Sequence, residues 1–330
     1  MALKEALFYE KLEGGNVRCR LCPHNCLIPQ GAVGLCRARK NKDGTLFSLI
    51  YGECSAVNMD PIEKKPLFHF FPGSDILSLG TIYCNFSCKF CQNWHLVKGE
   101  VGTEYISSER IVEAALSYRS IGIAYTYNEP IIWYEFVLDT AKLAKEKGLK
   151  NVLVTNGFIE EEPLKKLLPF VDAMNVDLKA SNNEFYRKLC GGKLEPVLRT
   201  IEIANSSCLV EVTNLLITGE NDSDEDIEKI VDMVSEIDPL IPMHFSRYFP
   251  QYKMNNPPTP LSRLYRAYEI AREKMPYVYL GNIWDEKYET TYCLNCGSVI
   301  VRRRGYVILE NNLEGNRCSF CGAENKFVVS

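Results

Sequence analysis

Long apolar runs are absent from this chain of 330 residues. No stretch approaches the roughly 18 apolar residues that a membrane-spanning helix requires, so no membrane segment is expected. The start of the chain is charged and lacks the apolar core of a signal peptide, which favours a cytoplasmic protein. Internal repeats and low-complexity tracts are also missing, so the sequence indicates neither a repeat array nor a disordered chain.

An excess of positive charge is lacking as well. Lys and Arg total 38 against 42 Asp and Glu, which gives a formal net charge of −4. Such a balance creates no general field that attracts nucleic acid, although Arg302, Arg303 and Arg304 form a short basic run. A nucleic-acid module is therefore the weakest interpretation. The apolar fraction of 46% and the charged fraction of 24% are those of an ordinary soluble protein.

Cysteine, by contrast, is abundant, with 14 residues in the chain. Cys54, Cys190 and Cys208 stand alone, and the others are clustered. A disulfide framework is the alternative, but the chain length, the missing export signal and the short spacings argue against it, so we predict metal sites. The clusters are Cys19, Cys22, Cys26 and Cys36; Cys84, Cys88 and Cys91; and Cys293, Cys296, Cys318 and Cys321.

Three regions are predicted along the chain. Residues 1–75 form an N-terminal Cys-rich segment, residues 76–285 alternate short apolar runs with amphipathic helices, and residues 286–330 form a four-cysteine ribbon. Ser223–Ile237 and Pro130–Lys147 are the clearest predicted helices. The predicted strands are Ile76–Tyr83, Gly122–Tyr127, Asn151–Thr155, Ala173–Leu178, Leu209–Ile217, Met243–Tyr248 and Tyr277–Leu280.

The alternation of strands and helices predicts the fold class. It indicates an α/β fold with a parallel sheet and right-handed crossovers. About six such units favour a full or partial (β/α) barrel over a simple open sheet. Ligands of such folds bind at the carboxyl ends of the strands. Polar residues that directly follow a predicted strand are therefore candidates for the site.

The central cysteines directly follow the first strand of this region, in the run Cys84-Asn-Phe-Ser-Cys88-Lys-Phe-Cys91. A loop with this spacing can wrap three thiolates around one side of a [4Fe–4S] cluster and leave one iron without a protein ligand. That iron can chelate an amine and a carboxylate, and a reduced cluster can pass an electron to a bound sulfonium and release a 5′-deoxyadenosyl radical. Zinc is the alternative, but it needs a fourth ligand, and only His95 is near.

This run resembles the signature of the radical S-adenosylmethionine (SAM) superfamily. The likeness is greatest to the branch of pyruvate formate-lyase activating enzymes, and within it to the radical enzyme of the AmmeMemoRadiSam system. It implies a radical SAM barrel, a [4Fe–4S] cluster, SAM, a reductant such as ferredoxin or flavodoxin, a protein or peptide substrate, and the other proteins of that system as partners. The motifs behind the closer likeness are Cys22-Pro-His-Asn-Cys26, Gly34-Leu-Cys36-Arg-Ala-Arg39, Asp60-Pro-Ile-Glu-Lys-Lys-Pro66, Tyr125-Thr-Tyr-Asn-Glu-Pro130, Met243-His-Phe-Ser-Arg247 and the terminal cysteine pairs.

By the same resemblance, Glu129 occupies the position of the Glu that binds the methionine ammonium of SAM. A carboxylate in a partly buried cleft pairs well with an ammonium, whereas Asn128 departs from the glycine of the family pattern. The alternative for Glu129 is a surface position at a helix N-terminus. Thr155 and Asn156 follow the third strand and can hydrogen-bond a ribose or a carboxylate, unless they belong to a simple Asn-Gly turn.

Four further residues have two interpretations each. Asp177 and Lys179 end the fourth strand on one face, where they suit a polar ligand or form a structural ion pair. His244 is either a cofactor or substrate contact or a satisfied core residue, and Phe90 packs near adenine or belongs to the core. The expected SAM contacts are Phe90, Asn128, Glu129, Thr155, Asn156, Asp177, Lys179 and His244.

Cys190 is the one isolated cysteine with a candidate role. It precedes Gly191-Gly192, where it could donate a hydrogen atom or shield a radical. The alternative, which is the commoner case for a single cysteine, is a small buried apolar side chain.

The two flanking cysteine groups predict further metal sites. Cys293 and Cys296, then Cys318 and Cys321, form two Cys-x2-Cys-Gly turns, which together predict one tetrahedral site. Zinc is the expected occupant and a rubredoxin-like iron is the alternative. The N-terminal group offers four thiolates for a structural metal or an auxiliary cluster, with His24 as a substitute ligand, and its spacing does not identify the metal. Its members are Cys19, Cys22, Cys26 and Cys36.

These features together predict a radical SAM enzyme of the oxidoreductase class. It would abstract hydrogen from an unidentified substrate, with a protein or peptide suggested only by the activating-enzyme likeness. The alternative is an iron–sulfur or zinc protein that transfers electrons or binds a partner without SAM chemistry.

Overall fold

An eight-stranded sheet forms the centre of the computed structural model, which describes residues 3–329. The strands follow one another across the sheet in chain order. We number them β1 Ala56–Pro61, β2 Asp75–Gly80, β3 Gly122–Tyr125, β4 Lys150–Thr155, β5 Ala173–Asp177, β6 Leu209–Leu216, β7 Met243–Arg247 and β8 Val278–Gly281.

Strands β2 to β8 are parallel and correspond to the seven predicted strands, which confirms the α/β architecture. Strand β1 was not predicted, and it pairs antiparallel with β2. Within residues 3–329 the two edge strands, β1 and β8, do not pair with each other. The barrel is therefore partial and has one open side.

The first predicted strand extended to Tyr83, but β2 ends at Gly80. The backbone N–H of Thr81 donates to the side-chain oxygen of Asn128 at 3.1 Å, so the sheet ladder is replaced there by a side chain. Tyr83 then adopts a φ of +73°, a left-handed conformation that no strand can contain. The chain turns away from the sheet at this point, directly before the central cysteines.

Helices cover the outer face of the sheet. The predicted helix at Ser223 has its side-chain cap, because Ser223 Oγ accepts the N–H of Asp226. The helix predicted from Pro130 begins with a 3₁₀ turn, Pro130–Trp133, before it becomes α-helical. The α-helices are Trp94–Lys98, Ser108–Ser117, Tyr134–Glu146, Glu161–Leu167, Asn183–Phe185, Glu195–Asn205, Asp224–Ile237, Leu261–Arg272 and Glu286–Glu289.

Short sheets carry the N- and C-terminal segments around this centre. Short 3₁₀ turns occupy Glu13–Gly15, Ile62–Lys64 and Leu168–Phe170, and Tyr186–Cys190 forms one π-helical turn. The remaining strands are Lys4–Glu5, Tyr9–Lys11, Val17–Cys19, Leu27–Ile28, Arg39–Lys42, Thr45–Ser48, Glu53–Cys54, Glu104–Tyr105, Thr291–Tyr292, Val299–Arg304, Val307–Asn311, Leu313–Glu314 and Arg317–Cys318.

The amino-terminal end of the barrel is filled by apolar side chains. Leu67 and Phe70 pack there against the first residues of several strands, and Val328 joins them through a bridge with Phe70. Burial of this cluster removes apolar surface from water, which stabilises the fold by about 25 cal/mol for each Å² buried. Because this end is packed, the open space of the barrel lies towards the carboxyl ends of the strands.

Arg303 joins the C-terminal ribbon to the barrel. Its guanidinium is fully buried and donates to the backbone carbonyl of Phe68 and to Thr291 Oγ1. Its Nε lies 3.9 Å from the Glu63 carboxylate, and its charge sits over the ring of Phe68. The C-terminal segment that carries Arg303 therefore packs on the open side of the barrel through the contacts of this buried guanidinium.

The described part of the chain contains no helix that is both long and apolar enough to cross a bilayer.

Candidate active site

A cavity of about 910 Å³ opens at the carboxyl ends of the strands. Its walls contain all three central cysteines and every residue expected to contact SAM. Separate loops contribute these side chains, so the parallel topology brings together residues that are up to 160 positions apart in the sequence. The predicted residues that line it are Cys84, Cys88, Cys91, Phe90, Asn128, Glu129, Thr155, Asn156, Asp177, Lys179 and His244.

The loop of the central cysteines is held by backbone hydrogen bonds. The N–H of Ser87 donates to the carbonyl of Cys190 at 2.8 Å, and the N–H of Lys89 donates to that of Leu189 at 2.9 Å. A Cβ at Gly192 would lie 2.2 Å from the ring of Phe86, so only glycine allows this close approach. The glycines that follow Cys190 therefore serve the packing of the cysteine loop.

The thiol groups suit a cluster better than a single metal ion. Cys84 Sγ accepts the backbone N–H of Phe86 at 3.3 Å and lies 3.7 Å from Asn156 Nδ2, and such N–H donors stabilise a negatively charged sulfur. Among residues 3–329, Cys84, Cys88 and Cys91 are not a group whose sulfur atoms all lie within 4.8 Å of one another. Tetrahedral zinc requires a closer set. A polynuclear cluster, in which different irons take different thiolates, fits this wider spacing.

Glu129 is buried where β3 ends. Its Oε1 accepts the hydroxyl of Thr155 at 2.7 Å and the N–H of Ile131 at 3.0 Å, and its Oε2 accepts the N–H of Asn156 at 2.7 Å. Burial raises the pKa of the carboxyl to about 7, against the effect of these donors. A carboxylate has about four acceptor sites, so roughly one is left for a ligand in the cavity.

Asn128 fastens the two strand ends to each other. Its Oδ1 accepts the N–H of Thr81, and its Nδ2 donates to the carbonyls of Tyr83 at 2.9 Å and Ile82 at 3.3 Å. The side chain is therefore committed to the start of the cysteine loop. This contact explains why an amide, rather than a glycine, is useful at this position.

Asn156 connects the end of β4 to the cysteine loop. Its Nδ2 donates to Asn85 Oδ1 at 2.8 Å, and its Oδ1 accepts the N–H of Phe158 at 2.9 Å. Asn85 in turn donates to the carbonyl of Phe158 at 2.9 Å. Asn85 was not among the predicted residues, although its position beside Cys84 was the available signal.

Asp177 and Lys179 form an ion pair at 3.0 Å, and both line the cavity. Burial disfavours the charge of Lys179, but Asp177 and the thiols of Cys88 and Cys190 outweigh it and raise the pKa of the ammonium well above its usual value. The two interpretations of this pair are therefore compatible. The ion pair places a fixed cation beside the cysteine loop, 5.9 Å from the centre of the Phe90 ring.

His244 forms a buried hydrogen bond through Nε2 with Oε2 of Glu211, at 2.6 Å. Although burial opposes it, this contact lowers the pKa of Glu211. The second oxygen of Glu211 accepts the N–H of His69 at 2.7 Å. His244 is thus a satisfied core residue that also lines the cavity. Glu211 was missed, and the only signal was an acidic residue inside the apolar run of β6.

Cys190 lies beneath the cysteine loop. It is fully buried, and its thiol neighbours that of Cys88. Burial, together with the neighbouring Cys88 thiol, raises the pKa of Cys190. It is not among the residues that line the cavity.

The C-terminal cysteines come together as predicted. Cys293 Sγ lies 3.7 Å from that of Cys321, and Cys296 Sγ lies 3.8 Å from that of Cys318. All four sulfur atoms lie within 4.8 Å of one another. Ligands about 2.3 Å from a central zinc form a tetrahedron with edges of about 3.8 Å. The four thiols therefore fit a single tetrahedral metal ion.

The N-terminal cysteines surround a much smaller space, about 10 Å³. Within the described residues they do not form a set with all sulfur atoms within 4.8 Å. His24 Nε2 lies 2.7 Å from the backbone carbonyl of Asn85, so this nitrogen already has a partner in the central cysteine loop. The cysteines around the space are Cys19, Cys22, Cys26 and Cys36.

Comparison with known proteins relates the chain to one superfamily. The sequence profile of the Radical SAM superfamily matches residues 79–234. An uncharacterized protein of Methanocaldococcus jannaschii is 44% identical over 99% of this chain and its own full length. A second protein of that organism, provisionally named a glycyl-radical enzyme activating enzyme, is 30% identical over 64% of this chain and 80% of its own.

A third relative is the pyruvate formate-lyase 1-activating enzyme of Escherichia coli K12, which is 26% identical over 44% of this chain. The chain spans only 63% of the length of that enzyme. The predicted likeness to activating enzymes is thus confirmed at the level of the superfamily and its relatives. Together, the profile match, the relatives and the cavity built around Cys84, Cys88 and Cys91 identify the chain as an enzyme of the radical SAM superfamily.

Proposed function

We propose that Cys84, Cys88 and Cys91 bind a [4Fe–4S] cluster and that the protein uses SAM to abstract hydrogen from a protein or peptide. When bound, the cluster and SAM supply one chemistry: a single electron from a reductant such as ferredoxin or flavodoxin cleaves SAM into methionine and a 5′-deoxyadenosyl radical. The observation that carries this proposal is the convergence of the three thiols and the expected SAM contacts on one cavity.

Residues of opposite charge bind the two charged groups of the methionine part of SAM. Glu129 has an acceptor site left for the methionine ammonium, and its hydrogen bonds fix its orientation. The ammonium of Lys179 pairs with Asp177 and also attracts the carboxylate of the methionine part of SAM. Thr155, Asn156 and His244 line the same cavity with polar side chains, and Phe90 offers a buried aromatic face.

A polypeptide substrate is supported by the relatives, because activating enzymes are among them. The motifs of the N-terminal segment, Asp60–Pro66 and Tyr125–Pro130 further support membership in the AmmeMemoRadiSam group, whose other proteins would then be partners. This finer assignment rests on sequence likeness alone.

The flanking cysteine groups have separate roles in this proposal. The tetrahedral C-terminal site holds zinc, which needs no redox partner and completes the ribbon of residues 286–330. The N-terminal group offers four thiolates for a second metal, and the space of about 10 Å³ between them is too small for an auxiliary cluster. Residues 1–75 and 76–285 are then the Cys-rich segment and the catalytic barrel, with β1 as the strand that the first segment adds to the barrel sheet.

Turnover of SAM without added substrate tests the proposal. The protein is reconstituted anaerobically with iron and sulfide, reduced with dithionite and mixed with SAM, and 5′-deoxyadenosine is measured. Cys88→Ala removes the visible absorbance of the cluster and the product, whereas Cys208→Ala, outside all three cysteine groups, retains both. A fully loaded protein that forms no 5′-deoxyadenosine would instead support an electron-transfer or binding role.

The substrate class needs a separate measurement. A cell extract is divided by filtration into a macromolecular fraction and a small-molecule fraction, and each is added to the reduced enzyme with SAM. A protein substrate predicts that the macromolecular fraction stimulates 5′-deoxyadenosine formation and loses this effect after protease treatment. Stimulation by the small-molecule fraction alone would contradict it.

A further inference from the structure

A cluster of charged residues occupies a wall of the cavity that the expected SAM contacts do not use. Asp60 Oδ2 accepts Lys65 Nζ at 2.6 Å and the hydroxyl of Tyr127 at 2.5 Å, and Asp60 Oδ1 accepts Lys64 Nζ at 2.7 Å. Lys64, Lys65 and Tyr127 all line the cavity. Two ammonium groups share one carboxylate, so the cluster carries a net charge of +1.

Lys65 has hydrogen-bonding capacity left. Its side chain is only 2% exposed, and Asp60 is its one hydrogen-bond partner among residues 3–329. An ammonium has three donors, so two N–H groups of this buried cation are free for a ligand in the cavity. Burial, partly opposed by Asp60, lowers the pKa of Lys65 to about 8, which leaves it mainly protonated at neutral pH.

The backbone is shaped to hold this arrangement. Tyr127 has a φ of +69°, a left-handed conformation that is unfavourable for a tyrosine. Its ring packs against Gly80, where a Cβ would lie 2.9 Å from the ring, and the ammonium of Lys65 lies 4.9 Å from the ring centre. Strain of this kind persists where surrounding contacts impose it, and here it places the Tyr127 hydroxyl on Asp60.

The cluster and the acidic groups of the SAM site lie at different depths. In the register of the sheet Asp60 pairs with Ile76, near the start of β2, whereas Glu129 and the cysteine loop follow the strand ends. A cavity of 910 Å³ is near the upper end of the range for small-molecule sites, about 300–1,000 Å³, and leaves room beside a nucleoside cofactor.

We propose that Lys65, held by Asp60 and Tyr127, binds a carboxylate of the substrate and so orients the substrate in the cavity. This inference rests on the proposed function, because it assumes that SAM occupies the side of Glu129 and Asp177. The free donors of Lys65 match the oxygen atoms of a carboxylate, and the net charge of the cluster attracts an anion. Lys65 is therefore a substrate-binding residue and determines specificity for acidic substrates.

The same chemistry could serve the carboxylate of SAM itself, so the test separates the two sources. Malonate is used as the probe, on the reconstituted holoenzyme at constant ionic strength, with and without saturating SAM. Malonate should raise the midpoint of thermal unfolding of the wild type and of Lys229→Met, a control at an exposed lysine outside the cavity. Lys65→Met should need about tenfold more malonate for the same shift. The shift of the wild type should persist in the presence of SAM.

Two outcomes would overturn the proposal. If malonate acts equally on Lys65→Met and wild type, Lys65 is only a structural partner of Asp60. If SAM abolishes the malonate effect, Lys65 binds the carboxylate of SAM and not that of a substrate. Formation of 5′-deoxyadenosine without substrate is measured in parallel. If the wild type forms none, the proposed function is rejected, whereas the malonate result still reports whether Lys65 binds a carboxylate.

A measurement on the unmodified protein keeps the inference testable if Lys65→Met does not fold. Trace acetylation with acetic anhydride, followed by peptide mass spectrometry, reports the reactivity of each lysine. Malonate should reduce the labelling of Lys65 several-fold with SAM bound and leave that of the surface residue Lys229 unchanged. Equal labelling of Lys65 with and without malonate would refute carboxylate binding.

Discussion

The carboxylate of Glu129 accepts the backbone N–H of Asn156 at 2.7 Å and thereby joins the ends of β3 and β4. Asn156 continues the connection to Asn85 and lies 3.7 Å from Cys84 Sγ. The acid expected to hold the SAM ammonium and a thiol expected to hold the cluster are thus separated by a single side chain. A displacement of Glu129 is therefore expected to displace Cys84 as well.

The first prediction concerns the pH dependence of SAM binding. Burial raises the pKa of Glu129 to about 7, so the carboxyl is neutral below that pH and ionised above it. Because only the ionised form attracts an ammonium, the affinity of the reconstituted enzyme for SAM should rise as the pH increases through about 7 and then level off. Glu129→Gln should bind SAM at least about tenfold more weakly. Equilibrium dialysis across pH 5.5–8.5 measures both effects, and an unchanged pH profile in Glu129→Gln would assign the titration to another group.

The second prediction concerns the support of the cysteine loop. Gly192→Ala places a methyl group 2.2 Å from the ring of Phe86, which must move together with the loop of Cys84. We expect reconstituted Gly192→Ala to contain markedly less iron and to unfold at a lower temperature than wild type. Gly102→Ala is the matched control, since no atom lies within 4 Å of its new methyl group. Equal iron content in both variants would show that the loop tolerates the displacement.

The third prediction concerns the buried ion pair between Arg39 and Glu135. Their atoms approach to 2.6 Å, and each side chain is 1% exposed. Glu135→Gln leaves the guanidinium of Arg39 without its counter-charge, which should reduce the free energy of unfolding by about 3–5 kcal/mol. Urea denaturation measures the loss. Glu225→Gln, which breaks the exposed pair with Lys229, should leave the free energy of unfolding unchanged. A similar loss in both variants would show that burial does not make the Arg39–Glu135 pair more important for stability.

The fourth prediction concerns the C-terminal metal. Cys321→Ser removes one ligand of the tetrahedral site, so the purified protein should lose one equivalent of zinc and its thermal midpoint should fall. The absorbance of the cluster at Cys84, Cys88 and Cys91 should remain after reconstitution, because that site is separate. Metal analysis by mass spectrometry checks the first expectation. Iron in place of zinc would favour the rubredoxin-like alternative.

The periodic parts of the fold were predictable from the sequence. Strands β2 to β8 are short apolar runs that begin within one residue of their predicted starts, because burial on both faces enforces an apolar pattern. Strand β1 is an edge strand with half-exposed, partly polar residues, so its pattern carried no such signal. The end of β2 depended on the side chain of Asn128, a contact between residues 47 positions apart.

The candidate site was predictable where a residue directly follows a strand. Glu129, Thr155 and Asp177 lie at successive strand ends, and parallel topology alone brings them to one edge of the sheet. Glu211 and Lys65 could not be found in this way. Glu211 lies inside a strand, and the significance of Lys65 depends on Asp60 and Tyr127, which only the folded chain brings within hydrogen-bonding distance.

The buried guanidinium of Arg303 has a consequence for protein engineering. Its partners Glu63 and Phe68 lie between strands β1 and β2 of the barrel, so the ribbon cannot be removed or exchanged as a self-contained cassette. Truncation before residue 286 would leave Glu63 buried without a counter-charge and would uncover the aromatic rings beside it. A chain shortened in this way would therefore be prone to aggregation, and chimaeras with other radical SAM enzymes must exchange the two segments together.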